Sequence, residues 1–191
     1  MNLYEMTQLY KELNLPESLF LTRDKGGQAY QILETQLKAI PDKHPLLVVF
    51  PPDQLVDGSF ADESIIRLGE AIVTGDFADR SILLQGLTSD SITNIEAVIT
   101  FRKLKLAFLL VEPTGDWKCI GQLEPSLLET LAIVANQTHI TAPELADMKG
   151  LAINSASNRL KRLYNQRLVR REHEISDKGL QYIYSFWNWS E

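Results

Sequence analysis

Residues Thr141–Glu174 read TAPELADMKGLAINSASNRLKRLYNQRLVRREHE. Thr141 stands before an apolar-periodic run and Glu144 follows three residues later. This spacing predicts a capping box, in which the Thr hydroxyl takes a free backbone N–H and the Glu reaches back to the cap. Pro143 falls in the first turn, where a missing N–H costs least. Gly150 is suited to the left-handed residue that ends a helix. A second helix is expected from Asn154 to Gln166. Ile153, Ala156, Leu160 and Leu163 follow 3-4-3 spacing and form its expected buried stripe. Ser155, Asn158, Arg159, Arg162 and Gln166 fall on the other face and are residue types that reach phosphates and base edges. Between Arg159 and Arg171 stand six basic residues, Arg159, Lys161, Arg162, Arg167, Arg170 and Arg171, and no acid.

A helix, a turn and a helix with a small-polar start and a basic end make a helix-turn-helix pattern. The segments ITAPELADMKGLAINSASNRLKRLYNQRLVRRE and ISDKGLQYI resemble the winged helix-turn-helix domain of bacterial transcription regulators. The resemblance implies that the helix from Asn154 to Gln166 enters the major groove of double-stranded DNA. Asn158 and Arg162 would then read base edges, and Ser155, Arg159, Lys161 and Arg167 would hold phosphates. Arg170 and Arg171 would stand where the wing begins. A helix capped by Ser176 is expected to follow almost at once, so little room is left for a wing. That last helix would carry Tyr182, Tyr184, Phe186, Trp187 and Trp189. Its aromatic faces would either pack inward or join two copies as a homodimer. The bland alternative for the basic face is a solvated surface, since many such domains bind protein instead.

The 191 residues allow one large domain or two small ones. An apolar share of 45% is that of a globular protein with a core. The net charge of −6 argues against a protein that coats nucleic acid. Residues 1–123 carry 11 basic and 17 acidic side chains, whereas residues 124–191 carry 8 of each. A local basic stretch on an acidic chain fits site-specific better than non-specific binding.

Earlier in the chain, strands are expected at residues 18–22, 46–50, 81–87 and 106–111, with 116–123 a hairpin return or a linker. Helices are expected at residues 1–15, 28–40, 59–72 and 88–101, with a turn at 23–27. Strands alternating with helices imply a mostly parallel sheet covered by helices. The segments FLTRDKGGQAYQILETQL, LLVVFPPDQLVDGSFADESIIRLGEAI and SILLQGLTSDSITNIEAVI are similar to the STAS-like domain, an α/β module related to anti-sigma-factor antagonists. The matching details are Thr22-Arg23 before the first helix and GSFADE opening the second. The expected architecture is therefore an N-terminal helix (1–17), a STAS-like α/β domain (18–123) and a mainly α winged helix-turn-helix domain (124–191).

The second resemblance implies a phosphorylation switch at Ser59 and a protein partner for this domain. The plainer reading is that Ser59, with Asp62 and Glu63 behind it, caps a helix. Phe60 also stands where the antagonist pattern has a small residue. No catalytic site is expected: Asp57-Gly58-Ser59-Phe60-Ala61 lacks the second glycine of a nucleophile turn. Gly26-Gly27 could hold an anion, but no Gly-Lys-Ser/Thr follows. His44, His139 and His173 are far apart, and Asp53, Asp57, Asp62 and Glu63 read as a negative helix start, so neither metal nor cofactor is expected. Cys119 is the single cysteine, which rules out an intramolecular disulfide. The first fifteen residues carry charges throughout, and no run is long enough to span a bilayer, so a cytoplasmic protein without membrane contact is expected. The leading function is a sequence-specific DNA-binding transcription regulator with a sensing or partner-binding module. The alternative is a partner-switching interaction module with no DNA role.

Overall fold

The computed structural model describes residues 2–14, 19–176 and 179–189. The chain divides into two compact units, residues 1–122 with 189–191, and residues 123–188.

The first unit is α/β with a mostly parallel sheet. Strands β1 (Asn2–Glu5), β3 (Pro45–Val49), β5 (Ser81–Gln85), β6 (Ala107–Val111) and β7 (Trp117–Gly121) lie in the order β1-β3-β5-β6-β7. The first four run parallel, and β7 returns antiparallel to β6, which makes residues 116–123 a hairpin return. The three apolar runs thus lie side by side. Leu46, Val48, Ile82, Leu84, Phe108 and Leu110 share a core with the helices. Leu47, Leu83 and Leu109 point to the opposite face and are also buried. Unbroken apolar runs are what a strand closed on both faces needs. A two-residue parallel pair, β2 (Leu19–Phe20) with β4 (Leu55–Val56), completes the strands of this unit.

Several local expectations are corrected. Residues 1–15 do not form one helix: β1 is followed by the five-residue α1 (Gln8–Glu12). Asn2 to Glu5 pair with Leu46 to Val49, and Tyr4 and Met6 point inward. A short helix is marginal by itself, whereas edge pairing satisfies backbone groups of β3 that would otherwise lack partners. Of the expected strand at 18–22, Leu19 and Phe20 are strand, Leu21 and Thr22 are not because Thr22 caps the next helix, and residue 18 lies outside the described residues.

The expected turn at 23–27 is the first part of α2 (Arg23–Ala39), capped by Thr22, whose hydroxyl accepts from the Lys25 N–H at 3.4 Å. Gly26-Gly27 is therefore helical and offers no anion loop. Gly26 faces the next helical segment so closely that a Cβ there would lie 2.6 Å from the Phe60 carbonyl oxygen.

That segment is expected as one helix over 59–72. It consists of α3 (Gly58–Ala61), a π-helical turn (Asp62–Ile66) and α4 (Arg67–Thr74), ending at Gly75 in the left-handed region at φ 99°. The widened turn allows Phe60, Ala61, Ser64, Ile65, Ile66 and Leu68 all to be buried, a set broader than one α-helical face. The buried Ser64 hydroxyl donates to the Phe60 carbonyl at 2.6 Å. Helix α5 (Ser89–Phe101) follows β5 and is capped by Thr88.

The second unit runs α6 (Pro125–Ala135), β8 (Ile140–Thr141), α7 (Ala142–Lys149), α8 (Ile153–Asn165), β9 (Arg170–Ser176) and β10 (Gly179–Ser185). Its sheet has the order β8-β10-β9 and is antiparallel. The expected capping box is present: the Thr141 hydroxyl accepts from the Glu144 N–H, and Glu144 accepts from the Thr141 N–H at 2.8 Å. Gly150 closes α7 at φ 62°.

The expected helix after Ser176 is absent. Residues 170–176 and 179–185 instead pair as a long hairpin, from Ser176↔Gly179 to Arg170↔Ser185. Gly179, the first residue of β10, has φ 99°, a backbone conformation that favours glycine. Tyr184 and Trp187 are buried, and the Trp187 indole donates to the Arg167 carbonyl at 3.0 Å. Tyr182 stays exposed, so these aromatics lie on a strand and the segment after it and do not form the expected helical face.

Gly26→Ala is expected to destabilise the first unit by about 1–3 kcal/mol, because a methyl would overlap a backbone oxygen. Gly27→Ala, with no atom within 4 Å of its Cβ, is expected to stabilise it by about 0.5–1 kcal/mol. Denaturant unfolding of both variants checks the opposite signs, and equal effects would place the helix contact elsewhere.

Candidate nucleic-acid interface

Helix α8 is held by a narrow apolar stripe. Ala156, Leu160 and Leu163 are fully buried, and Tyr164 nearly so. Ile153, expected in that stripe, begins the helix and is 57% exposed. At 3.6 residues per turn, the arc opposite the stripe carries Asn154, Ser155, Asn158, Lys161, Arg162 and Asn165. All six are exposed and none is acidic. The sequence expectation contained Ser155, Asn158, Lys161 and Arg162 but missed Asn154 and Asn165. The i, i+4, i+11 spacing of Asn154, Asn158 and Asn165 was the available signal.

The remaining basic residues lie at the margin of this arc or at the foot of the hairpin, and they have partners inside the unit. Arg159 is half-buried and 3.8 Å from Glu129, which also receives Lys149. The hydrogen bond from Lys149 holds the Glu129 carboxyl below its ordinary range. Arg167, at φ 57°, donates to the Tyr164 carbonyl at 3.1 Å and lies 4.7 Å from the Tyr164 ring centroid. Arg170 pairs with Glu172 at 3.2 Å. The Arg171 guanidinium lies 3.8 Å from the Tyr164 ring centroid and 4.6 Å from that of Tyr182. It thereby ties the end of α8 to both strands of the hairpin.

Arg162 is exposed, and its two terminal nitrogens grip the Glu124 carboxylate. Nη1 donates to Oε2 at 2.8 Å and Nη2 to Oε1. This hydrogen bond raises the guanidinium pKa above its ordinary value. Glu124 and Glu129 were not foreseen as residues of the site. Their spacing from Arg162 and Arg159 spans helices, and no local pattern links them. An open hollow of about 510 Å³ adjoins the arc, lined by Thr141–Glu144, Ser157 of α8 and Gly179–Tyr182 with Tyr184 of β10. The hairpin thus borders the same side of α8 as the start of α7.

In the first unit, Ser59 is exposed but does not cap its helix. Asp57 is the cap, accepting from the Phe60 N–H at 2.6 Å. Asp57 stands one residue ahead of the helix, where a carboxylate can reach the free N–H, and Ser59 is already inside it. Ser59 lines a shallow hollow of about 370 Å³ with Arg23, Asp57, Asp62, Phe101 and Arg102. The two arginines are engaged there: Asp62 lies 3.1 Å from Arg23 and 2.7 Å from Arg102. Asp62 and Glu63 stand in the first turn of the π-helical segment and also pair with arginines from α2 and the end of α5.

Burial and the neighbouring Glu96 push the Cys119 thiol up to about 12, so it stays protonated at neutral pH. Among the described residues no three His, Cys, Asp or Glu side chains gather as a metal site. Among the same residues, no helix is long and apolar enough to cross a membrane.

No family model and no curated protein matches the chain. Among solved structures it is similar to ScpB from Mycobacterium tuberculosis, at 14% identity over 86% of this chain and 92% of that one. The TM-score of 0.27 is too low for that likeness to support any reading.

Arg171→Ala is expected to lower the stability of the second unit by about 1–2 kcal/mol, from the loss of two cation–π contacts in a partly desolvated position. Denaturant unfolding followed by tryptophan fluorescence checks this. An unchanged midpoint would show that the stack does not hold the hairpin.

Proposed function

We propose that the chain is a sequence-specific double-stranded DNA-binding transcription regulator whose first unit senses a signal or binds a protein partner. The observation that carries this reading is the outward arc of α8, with three asparagines, one serine, one lysine and one arginine and no acid. Asparagine and arginine make the two-bond contacts that distinguish adenine and guanine in the major groove. Two features support a winged helix-turn-helix for the second unit. One is its element order, three helices with a strand before the second and a hairpin after the third. The other is the hairpin beside α8, in the position of a wing. The parallel sheet of the first unit, with Thr22-Arg23 opening α2 and Gly58–Glu63 opening the next helical segment, supports the STAS-like reading.

In this proposal Asn158 and Arg162 read bases, and Ser155 and Lys161 hold phosphates. Arg159, Arg167, Arg170 and Arg171 shape the surface around them, since each is half-buried against a partner in the unit, whereas Arg162 is exposed. Asn158→Ala or Arg162→Ala is expected to cost about 1–3 kcal/mol on a specific duplex and relax preference at one position. Lys161→Ala is expected to weaken all duplexes alike and lower the salt slope by about one. Titrations of specific and random duplexes at two salt concentrations separate the two classes. If the intact protein shows no salt-sensitive binding to any duplex from a genomic library, the regulator reading is wrong.

A second reading rests on Ser59, exposed between Arg23 and Arg102. In it the first unit is a partner-switching module controlled by phosphorylation, with no DNA role. Ser59→Asp is expected to change stability by no more than about 0.5 kcal/mol, because the residue is exposed and Asp57 keeps the cap. Under this reading the same substitution alters recovery of a protein partner on the immobilised chain. Equal recovery by wild type and variant rejects the switch.

A further inference from the structure

We propose that Glu124 is an internal competitor for the base-reading end of Arg162, so that DNA must displace it to be read. This rests on the DNA-binding function proposed above. Glu124 occupies the N-cap position of α6, with φ −63° and ψ 142°, yet its side chain accepts no capping hydrogen bond. Its carboxylate is turned onto Arg162. Both side chains are about half exposed, 55% for Glu124 and 47% for Arg162, so the pair lies where a duplex can reach it.

The geometry of the pair defines the competition. Guanine presents two acceptors, N7 and O6, to a two-nitrogen fork. Here both terminal nitrogens of Arg162 are committed to the two oxygens of Glu124. The end-on fork is therefore filled by the carboxylate, and Arg162 cannot grip guanine in that way while the pair persists. A buttressing carboxylate would engage Nε and leave the terminal fork open, which is a different arrangement. An exposed pair of this kind is weak enough to be exchanged for a base. A bidentate contact to guanine replaces both bonds, whereas a random base edge or a single bond replaces only part of them.

On a random duplex Arg162 has no such contact to gain and stays on Glu124, so the cost of breaking the pair falls mainly on the specific duplex. This distinguishes it from simple repulsion between the Glu124 charge and phosphates, which would act on all duplexes alike.

The experiment uses the full chain, a duplex selected from a genomic library and a random-sequence duplex of equal length. Glu124→Gln is expected to tighten binding of the selected duplex on the order of three- to fivefold, and that of the random duplex less. Glu124→Ser, which restores a favoured cap residue, is expected to do the same and guards against a folding defect in the first variant. In an Arg162→Ala background both substitutions lose their differential effect. Equal tightening on both duplexes, persisting without Arg162, would show charge repulsion only and overturn the inference. Unchanged affinity in both variants would overturn it while leaving the DNA-binding function intact. If neither wild type nor variant binds any duplex, the DNA-binding function itself fails and the inference falls with it.

Discussion

The second unit depends on the burial of one side of α8. Ala156, Leu160 and Leu163 are sealed against the rest of the unit, and this fixes the rotation of the helix about its axis. Removing three such side chains from water contributes several kcal/mol, by the usual value of about 0.8 kcal/mol per buried methylene. No surface contact in the unit competes with that. The orientation of Asn158 and Arg162 therefore follows from residues that never touch solvent. The Thr141–Glu144 box and the left-handed Gly150 set where α7 begins and ends, and hence where α8 can start.

The electrostatics of this surface differ from a simple tally of charges. Six basic residues without an acid suggest a uniformly positive ridge, but the fold gives most of them company. Arg167 and Arg171 lie against Tyr164, while Arg159 faces Glu129 of α6 and Arg162 faces Glu124 at its N-cap. Exposed ion pairs contribute about 0–1 kcal/mol each, so they shape the surface more than they stabilise it. The stacked arginines are different. Their aliphatic stems and flat guanidinium faces cover aromatic rings, and they serve as packing as much as charge. What remains open on the ridge is largely neutral and hydrogen-bonding.

Much of this architecture was legible in the residues. The runs LLVVF, SILLQGL and LAFLLV announce strands closed on both faces, and β3, β5 and β6 lie together as those runs require. The capping box and Gly150 were readable because caps are local chemistry. Other features depend on distant partners. Residues 2–5 form a strand because β3 offers an unpaired edge, which no local period reveals. Asp57 outranks Ser59 as a cap only because the helix starts one residue earlier than the apolar pattern suggests. The hairpin at 170–185 was hidden by Ser176 and the aromatics, which read equally well as a capped helix. The alternation of Leu180, Tyr182 and Tyr184 after Gly179 was the better guide. Glu124 and Glu129 meet their arginines through tertiary packing, so nothing in their spacing marked them.

The pairing of β1 with β3 also bears on how quickly the chain can reach its native state. Asn2 is bonded across to Leu46, so the outermost strand waits until a loop of more than forty residues has closed. The hairpin of the second unit joins Ser176 to Gly179 and grows from neighbours in sequence. Contacts between near neighbours form early, and pairings that enclose long loops form late. The second unit should therefore assemble ahead of the outer edge of the first sheet, although it is made later on the ribosome. During that interval β3 carries an uncovered edge of Leu and Val, and the opening residues of the chain act as its last protective strip.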